Sequence, residues 1–234
     1  MKTQPVIEKQ AVETASCDTK ERLLDAAIRV FSKNGFQASS MRTITREAGT
    51  SLSAANYHFG TKEELLRAAL RARAELLNSR RIELLEEAGR ANGDPLSVEA
   101  VLDAFMRPVF ERQAAMMAQD RVPSGLAMRL YLDPLDVISR IRHEVFESTH
   151  QRFAEALVYA LPASSPESAH EALRFVLGVL VYAVSEWNEG GQPAAAAPSE
   201  IQSRLEGVVT FSSAGVRALV TSQSFLSSDR GEMS

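Results

Sequence analysis

The chain has 234 residues, of which 45% are hydrophobic and 24% charged, and its formal net charge is −4. This composition is typical of a globular protein with room for one large core or for a small and a larger domain. Neither a membrane protein nor a disulfide scaffold is expected, since the longest apolar run, Phe175 to Val184, is shorter than the ~20 residues of a membrane-spanning helix and Cys17 is the single cysteine.

The N-terminal segment, residues 1–17, is polar and lacks both a hydrophobic period and the apolar core of a signal peptide. It is expected to be a disordered arm, and its lone thiol fits a reducing cytoplasm. A helix is expected from Asp18 to Asn34, because Asp18 and Glu21 have the spacing of a capping box and Gly35 follows the helix end. Apolar residues repeat at helical spacing along it, at Leu24, Ala27, Ile28 and Phe31.

Two short helices joined by a glycine turn are expected next. The first covers Met41 to Ala48 and follows the good N-cap residues Ser39–Ser40. Gly49 ends it, because glycine takes positive φ without a clash of Cβ. The residues Thr50–Ser51 can cap a second helix from Leu52 to Phe59. This arrangement has the geometry of a helix-turn-helix, which inserts its second helix in a DNA groove.

The second of these helices begins with small side chains and continues with polar ones. Small side chains allow close approach to base edges, and Asn56 can bond an adenine at two positions. A tyrosine hydroxyl or a histidine ring can reach a phosphate or a base. The alternative is a surface helix whose polar face simply meets water. The residues concerned are Ser51, Ser53, Ala54, Ala55, Asn56, Tyr57 and His58.

A long helix is expected to run toward Ala88, because Thr61 and Glu64 form a second capping box. Its first turn presents free N–H groups and a partial positive charge. Lys62 adds a full charge, so this helix end can hold a DNA phosphate. The alternative for Lys62 is an exposed lysine without a role.

The charges are divided unevenly along the chain. Between Thr19 and Arg73 there are ten Lys or Arg residues and five Asp or Glu residues, so this segment carries +5 and the remainder carries −9. A module that faces phosphates and is attached to an acidic body would show this asymmetry. A solvated basic face explains it as well.

Turn-forming residues from Gly89 to Pro95 mark a boundary, after which only helices are expected. Strand-like alternation with hairpin turns is absent from the sequence, so the expected fold class is all-α. Pro108 is expected to kink or break the helix that contains it. The expected helices cover Leu96 to Asp120, Ser124 to Leu132, Pro134 to Leu161, Pro166 to Asn188, and Ser199 to Leu219.

Methionine and aromatic side chains are frequent among these later helices. Such side chains adapt to irregular cavities, so a pocket for an apolar or amphipathic small molecule is one interpretation and a solid core is the other. Spacing alone does not separate the two. The candidate ligand-binding residues are Phe105, Met106, Val109, Phe110, Met116, Met128, Tyr131 and Phe153.

The helix expected over residues 168–188 carries more apolar surface than one neighbouring helix covers. Association with a second copy of the chain would cover the excess. The candidate dimer-interface residues are Leu173, Val176, Leu177, Leu180, Val184 and Trp187.

No pattern in the sequence supports catalysis. His143, Glu147 and His150 can share one helix face, but the H-E-x-x-H spacing of zinc enzymes is absent. Nucleotide-binding glycine patterns and the G-x-S-x-G nucleophile motif are absent as well. We therefore expect no catalytic residue, no metal site and no cofactor.

Three stretches carry a resemblance to a known family. They are L-D-A-A-I-R-V-F-S-K-N-G-F from Leu24 to Phe36, M-R-T-I-T-R-E-A-G-T-S from Met41 to Ser51, and Y-H-F-G-T-K-E-E-L-L from Tyr57 to Leu66. Together they make the segment from Thr19 to Arg71 similar to the N-terminal domain of the TetR/AcrR family of transcriptional regulators. The chain departs from many members at Ala55–Asn56, where an apolar residue and a tyrosine are usual.

The resemblance implies an all-α homodimer. Residues 18–66 would form a three-helix helix-turn-helix domain and residues 67–222 a helical effector-binding and dimerisation domain, followed by a disordered tail at 223–234. The residues expected to contact DNA are Arg42, Thr43, Ser51, Ser53, Ala54, Asn56, Tyr57, His58 and Lys62.

The implied function is that of a cytoplasmic regulator that binds a double-stranded DNA operator and responds to a small-molecule effector. Repression relieved by an apolar or amphipathic effector is the family expectation. The Asn-Tyr-His-Phe sequence of residues 56–59 resembles a subgroup that includes fatty-acid-responsive regulators, which suggests a fatty acyl effector. The alternatives are a helical small-molecule-binding protein without regulatory DNA binding, and an enzyme.

Overall fold

A computed structural model describes residues 4–92, 95–117, 136–162, 164–189 and 198–231. Over these residues the chain forms eight α-helices and no strand, which confirms the predicted all-α fold. The helices are α1 (Gln4–Asn34), α2 (Met41–Glu47), α3 (Leu52–Phe59), α4 (Lys62–Asn92), α5 (Val98–Met117), α6 (Asp136–Ala160), α7 (Pro166–Glu189) and α8 (Pro198–Gly231).

The two terminal helices are longer than the sequence pattern predicts. Helix α1 begins at Gln4, so the expectation of a disordered arm over residues 1–17 is not met from Gln4 onward. Pro5 lies in the first turn, where its missing N–H does not interrupt the helix, and the Glu, Lys, Gln and Ala residues after it favour helix. Helix α8 likewise continues to Gly231, through most of the expected tail at 223–234.

Helix α5 continues through Pro108, so the expected break does not occur there. Proline removes one backbone hydrogen bond from a helix. The flanking side chains Phe105, Met106 and Phe110 are fully buried, and their packing stabilises the helix on both sides of Pro108. The helix expected from Ser124 to Leu132 lies outside the described residues.

The described residues divide into two compact units. The first unit contains the chain up to Arg73 together with the start of α6 as far as Val145, and the second contains the rest, from Ala74 and from Phe146 onward. Helices α4 and α6 therefore each contribute to both units. The family resemblance implies a domain boundary after residue 66 and assigns no part of α6 to the N-terminal domain.

The core of the first unit joins the inner faces of its helices. Leu23, Phe31 and Ile44 are almost completely buried, and Leu24, one of the apolar residues that repeat at helical spacing along α1, is partly buried against the same core. Ile138 and Ile141 of α6 are fully buried in the same core. The helix-turn-helix is thus supported by a segment distant in sequence.

The core of the second unit is formed by α5, α7, α8 and the parts of α4 and α6 that belong to it. Helix α7 is long and apolar enough, by length and composition over Pro166–Ser185, to cross a membrane. One face of α7 packs against this core, with Ala172, Val176 and Ala183 buried. Packing against the protein's own helices explains the apolar composition of α7.

The same packing affects the predicted dimer interface. Leu173, Val176 and Leu180 are only 2–3% exposed, because the core of their own unit covers them. Leu177 and Val184 are half-buried against that core, and the side chain of Trp187 lies outside the described part. The buried residues of this stripe are therefore not available to a second copy. Large apolar side chains on the outer faces of α7 and α8 are Phe175, Tyr182 and Phe211.

The glycine between α2 and α3, Gly49, allows a test of the turn that joins these two helices. Gly49 has a φ of 61°. Gly89, which lies within α4, serves as the comparison. A Cβ added at either glycine would meet no atom within 4 Å. Gly49→Ala should lower the free energy of unfolding by about 1–2 kcal/mol, because only backbone strain is introduced. Gly89→Ala should raise it by about 0.5–1 kcal/mol through helix propensity. Urea denaturation measures both, and an equal sign for the two variants would contradict the assigned turn.

Candidate nucleic-acid interface

Helix α2 begins at a capped end. Ser40 has extended backbone angles (φ −131°, ψ 155°), and its Oγ accepts a hydrogen bond of 3.1 Å from the Thr43 backbone N–H. Ser39, the other expected cap, is buried instead, and its hydroxyl donates to the Gly35 carbonyl. The Thr43 hydroxyl lies 2.9 Å from the Ser40 hydroxyl. The start of α2 is therefore held by its own side chains.

Helix α3 is capped at both ends and anchored by its inner face. The Ser51 Oγ accepts a hydrogen bond of 3.1 Å from the Ala54 backbone N–H, and Gly60 ends the helix with φ of 68°. Ala55 is fully buried and Phe59 is 8% exposed. Since these two residues face the core, the side chains of Ser53, Asn56 and Tyr57 are turned away from it.

The exposed side chains of α3 are those that the sequence analysis assigned to DNA. Tyr57 is 85% exposed, Asn56 and Ser53 are exposed, and Ala54 is half-buried. His58 is half-buried, with its ring against Tyr57 at 5.3 Å and against Phe59 at 6.0 Å between centroids. A large aromatic side chain with this exposure gains nothing from the core of its own chain, so it is available to a partner.

Helix α2 contributes two cations to the same region. Arg42 and Arg46 are four residues apart, so they share a helix face, and both side chains are exposed. Neither has an ion-pair partner among the described residues, whereas the nearby Arg29 is paired with Glu47 at 2.9 Å. The residues expected to contact DNA include Arg42 but not Arg46. The four-residue spacing was the signal that could have identified it.

Lys62 lies in a different environment from the one predicted. Its ammonium donates hydrogen bonds of 2.9 Å to the Phe36 carbonyl and 3.0 Å to the Ser39 carbonyl, and it lies 4.2 Å from the centroid of the Phe36 ring. An ammonium group has three N–H donors, so at most one remains for a phosphate. In this structure Lys62 joins the start of α4 to the segment between α1 and α2.

The arrangement suits recognition of a partner through exposed polar groups. Exposed amide, hydroxyl and aromatic groups lie on one short helix, with guanidinium groups on the helix before it. In the described part of the chain, no three His, Cys, Asp or Glu side chains are grouped so that they could hold a metal ion. His150 packs instead against the rings of Phe146 and Phe105, each at 6.0 Å between centroids.

The candidate ligand-binding residues behave as core in this structure. Phe105, Met106, Phe110 and Phe153 are fully buried in the second unit, and Val109 is partly buried against them. Met116 is half-buried, while Met128 and Tyr131 lie outside the described residues. A ligand among these side chains would therefore have to separate them.

Two family models match the chain. Residues 23–69 match the model described as bacterial regulatory proteins, tetR family, and residues 103–215 match the model described as tetracyclin repressor-like, C-terminal domain. The chain is also similar to the nicotine-responsive transcriptional repressor HdnoR of Paenarthrobacter nicotinovorans, with 34% identity over 109 residues. That match covers 45% of this chain and 53% of the repressor, so it spans about half the length of this curated relative.

Solved structures share the fold over most of the chain. The fatty acid degradation regulator FadR from Bacillus halodurans has a TM-score of 0.63 with 16% identity, and FadR from Bacillus subtilis, solved in complex with stearoyl-CoA, has 0.61 with 15% identity. Each comparison covers 83% of this chain and 98% of the other. At such identities the likeness shows the fold alone.

The environment of Lys62 predicts a loss of stability when its ammonium is removed. Lys62→Met should lower the free energy of unfolding by about 1.5–3 kcal/mol, because charge-assisted hydrogen bonds to two carbonyls are lost. Lys20→Met is the matched control, since Lys20 is exposed on α1 and has no bonded partner among the described residues. Chemical denaturation measures both. Wild-type stability in Lys62→Met, combined with weakened DNA binding, would instead assign the ammonium to a phosphate.

Proposed function

The chain belongs to the TetR family of bacterial regulatory proteins, and from this premise we propose that it is a transcriptional regulator that binds a DNA operator through α2 and α3 and responds to a small-molecule effector. The observation that carries the proposal is the exposed polar face of α3, with Tyr57 85% exposed while Ala55 and Phe59 are buried. Most simply, the chain is a repressor released from its operator by the effector.

The side chains divide by the kind of DNA contact they suit. Arg42 and Arg46 are exposed cations for phosphates. Asn56 and Ser53 are exposed on the face of α3 proposed to enter the groove, so they suit contacts with base edges. Tyr57 and His58 can bond a phosphate or a base. Ser51, Thr43 and Ala54 stand at the starts of α2 and α3, where their small side chains allow close approach of the DNA backbone.

The charge distribution supports the same use of the first unit. The segment from Thr19 to Arg73 carries +5 in a chain of net charge −4. Lysine and arginine side chains that neutralise phosphates release counterions, so affinity should fall as the salt concentration rises. The acidic remainder weakens contact of the other surfaces with DNA.

We further propose that the active form is a homodimer. Phe175, Tyr182 and Phe211 are 61–68% exposed on the outer faces of α7 and α8, and α8 has small residues beside Phe211 on the same face, at Gly207, Ala214 and Ala218. Exposed aromatic side chains beside small residues favour close packing against another helix pair. A two-fold dimer would offer two α3 helices to major-groove faces about 34–36 Å apart.

The effector is proposed to be a small molecule with an apolar part, bound in the second unit. The candidate residues Phe105, Met106, Val109, Phe110, Met116, Met128, Tyr131 and Phe153 belong to the region matched by the C-terminal family model, residues 103–215. The B. subtilis FadR structure contains stearoyl-CoA, which supports a fatty acyl compound. The name of HdnoR indicates response to a different kind of molecule, nicotine.

The long helix α4 is the proposed connection between effector and DNA. It begins at Lys62 beside the helix-turn-helix and continues to Asn92, with residues in both units. An effector shifts an equilibrium only if it binds one state more tightly than the other. We propose that the effector favours a position of α4 in which the two α3 helices of the dimer no longer fit successive groove faces.

Two other functions account for fewer of the observations. A helical small-molecule-binding protein without regulatory DNA binding would not explain the exposure of Tyr57. Nor would it explain the two cations on α2 that have no ion-pair partner in the described part of the chain. An enzyme would need a nucleophile or an acid–base pair, and the sequence contains no motif that supplies one. We therefore propose a non-enzymatic regulator that acts in the cytoplasm, where its DNA would be found.

DNA binding can be tested through Tyr57. Tyr57→Ala should leave the free energy of unfolding unchanged, because the side chain is exposed, and weaken binding to a duplex from upstream of the chain's own gene by about 10- to 100-fold. This is the cost of one hydrogen bond to a charged group, about 1.5–3 kcal/mol. Fluorescence anisotropy at low salt gives the affinities.

The matched control is Tyr159→Ala, since Tyr159 is 72% exposed on α6 in the second unit. It should bind the duplex like the wild type. Equal weakening by the two variants, or no binding of the wild type to any duplex at low ionic strength, would contradict the proposed function.

The dimer can be tested through Phe211. Phe211→Glu should weaken self-association at least 10-fold, because a charge would have to be buried in an apolar interface. Leu76→Glu is the control, since Leu76 is 77% exposed on α4, away from α7 and α8 in sequence. Sedimentation equilibrium measures both, and a wild-type chain that is monomeric at micromolar concentration would contradict the proposed dimer.

A further inference from the structure

A buried cation in the second unit has no role in the function proposed so far. Arg81, on α4, is 2% exposed, whereas the other arginines whose side chains are described are half-buried or exposed. Burial of an ion without a counter-charge costs several kcal/mol in a protein. Such a residue calls for a physical explanation.

The contacts of Arg81 are neutral. Its Nε donates a hydrogen bond of 2.8 Å to the Phe105 carbonyl, and its Nη1 donates one of 3.3 Å to the Asn78 side-chain oxygen. The guanidinium carbon lies 3.9 Å from the centroid of the Phe105 ring. These contacts orient the group, but none of them balances its charge.

The contrast with Arg107 is informative. Arg107, on α5 in the same unit, forms two hydrogen bonds of 2.7 Å to the two oxygens of Asp103, although its side chain is more exposed than that of Arg81. Arg81 has no carboxylate within ion-pair distance among the described residues. Burial lowers the pKa of Arg81 to about 9, with no opposing carboxylate effect, and the group remains charged at neutral pH.

The donors of Arg81 are incompletely used. A guanidinium has five N–H groups, arranged so that two parallel ones match a carboxylate or a phosphate. Two are bonded to Phe105 and Asn78, and the other three have no acceptor among the described residues. The group can therefore form a bidentate pair through these three donors and keep its two present bonds, while the packed side chains around it separate to admit the ligand.

The surroundings of Arg81 are apolar. The Phe105 ring beneath the guanidinium contacts Phe153 at 5.1 Å between centroids, in an edge-to-face arrangement, and Met106 and Phe110 are buried in the same cluster. A ligand that pairs with Arg81 would thus continue into an aromatic and aliphatic region. This combination suits a molecule with an anionic head and an apolar tail.

We propose that Arg81 is the anion-binding residue of the effector site, so that the effector is an amphiphile whose carboxylate or phosphate pairs with the guanidinium while its apolar part lies among Phe105, Phe153 and their neighbours. This inference rests on the proposed effector function of the second unit. It goes beyond that function by naming the charge of the ligand and the residue that reads it.

The test compares three probes with one tail and different heads: dodecanoate, dodecyl phosphate and dodecanol, each below its micellar concentration. Isothermal titration calorimetry on the full-length chain should show binding of at least one anionic probe about 10- to 100-fold tighter than binding of dodecanol, the range expected for hydrogen bonds between charged groups. The two anionic arms tell a carboxylate site from a phosphate site. Failure of both anions to exceed dodecanol would overturn the proposal.

The variants are Arg81→Met, Arg81→Lys and the control Arg90→Met, which changes an exposed arginine of the same helix. Arg81→Met should remove the preference for the anionic probe and leave dodecanol binding unchanged. Arg81→Lys should keep part of the preference, since it retains the charge but not the planar fork. Arg90→Met should behave like the wild type.

Thermal unfolding without ligand separates this role from a structural one. Replacement of an unbalanced buried ion by an apolar side chain is often neutral or stabilising, so Arg81→Met should keep or raise the wild-type Tm. If Arg81 only joins α4 to α5, Arg81→Met should lower the Tm and weaken all three probes equally, which would overturn the proposal.

DNA binding by the same samples distinguishes a failure of the Arg81 assignment from a failure of the proposed regulatory function. If the wild type and Arg81→Met both bind the upstream duplex but neither prefers an anionic probe, the assignment of Arg81 fails and the regulator remains. If the wild type binds no duplex, the proposed regulatory function fails whatever the probes show.

Discussion

Helix α3, which is proposed to contact DNA, depends on the core behind it. A helix of eight residues is far below the ~12–15 residues at which an isolated helix becomes marginally stable in water. Ala55 and Phe59 are buried, and the caps at Ser51 and Gly60 satisfy its ends. Because packing and caps hold α3 in place, its exposed side chains can remain free for a partner without loss of the fold.

The need to hold short helices in place also explains the environment of Lys62. The segment between α1 and α2 has carbonyl groups at Phe36 and Ser39 that no helix satisfies, and the ammonium of Lys62 bonds both. This contact connects α4 to the helix-turn-helix at its base. A change in the position of the first turn of α4 would therefore be transmitted to α2 and α3 through short, charge-assisted bonds. The coupling proposed for the effector requires such a rigid connection.

The second unit contains groups whose charge or apolar surface its own side chains do not balance or cover. Its core contains a guanidinium without a carboxylate partner among the described residues, at Arg81, and its surface carries exposed Phe175, Tyr182 and Phe211. Each feature costs free energy in an isolated subunit. A bound anion would compensate the first and a second copy of the chain would compensate the others. Proteins commonly retain such locally unfavourable features at functional sites.

Local features of the structure followed from the sequence because they depend on residues only a few positions apart. Gly49 and the hydroxyl of Ser51 set the turn between α2 and α3, and helical spacing set the all-α class. The tertiary structure decided which neighbour covers each apolar helix face, which the spacing of apolar residues leaves open. A periodic stripe reports that one face is apolar but not which neighbour covers it, so Leu173 and Val176 were assigned to a dimer interface and lie instead in their own core. The partner of a long flexible cation is likewise set in three dimensions, as the carbonyls bonded by Lys62 and the ring beneath Arg81 show.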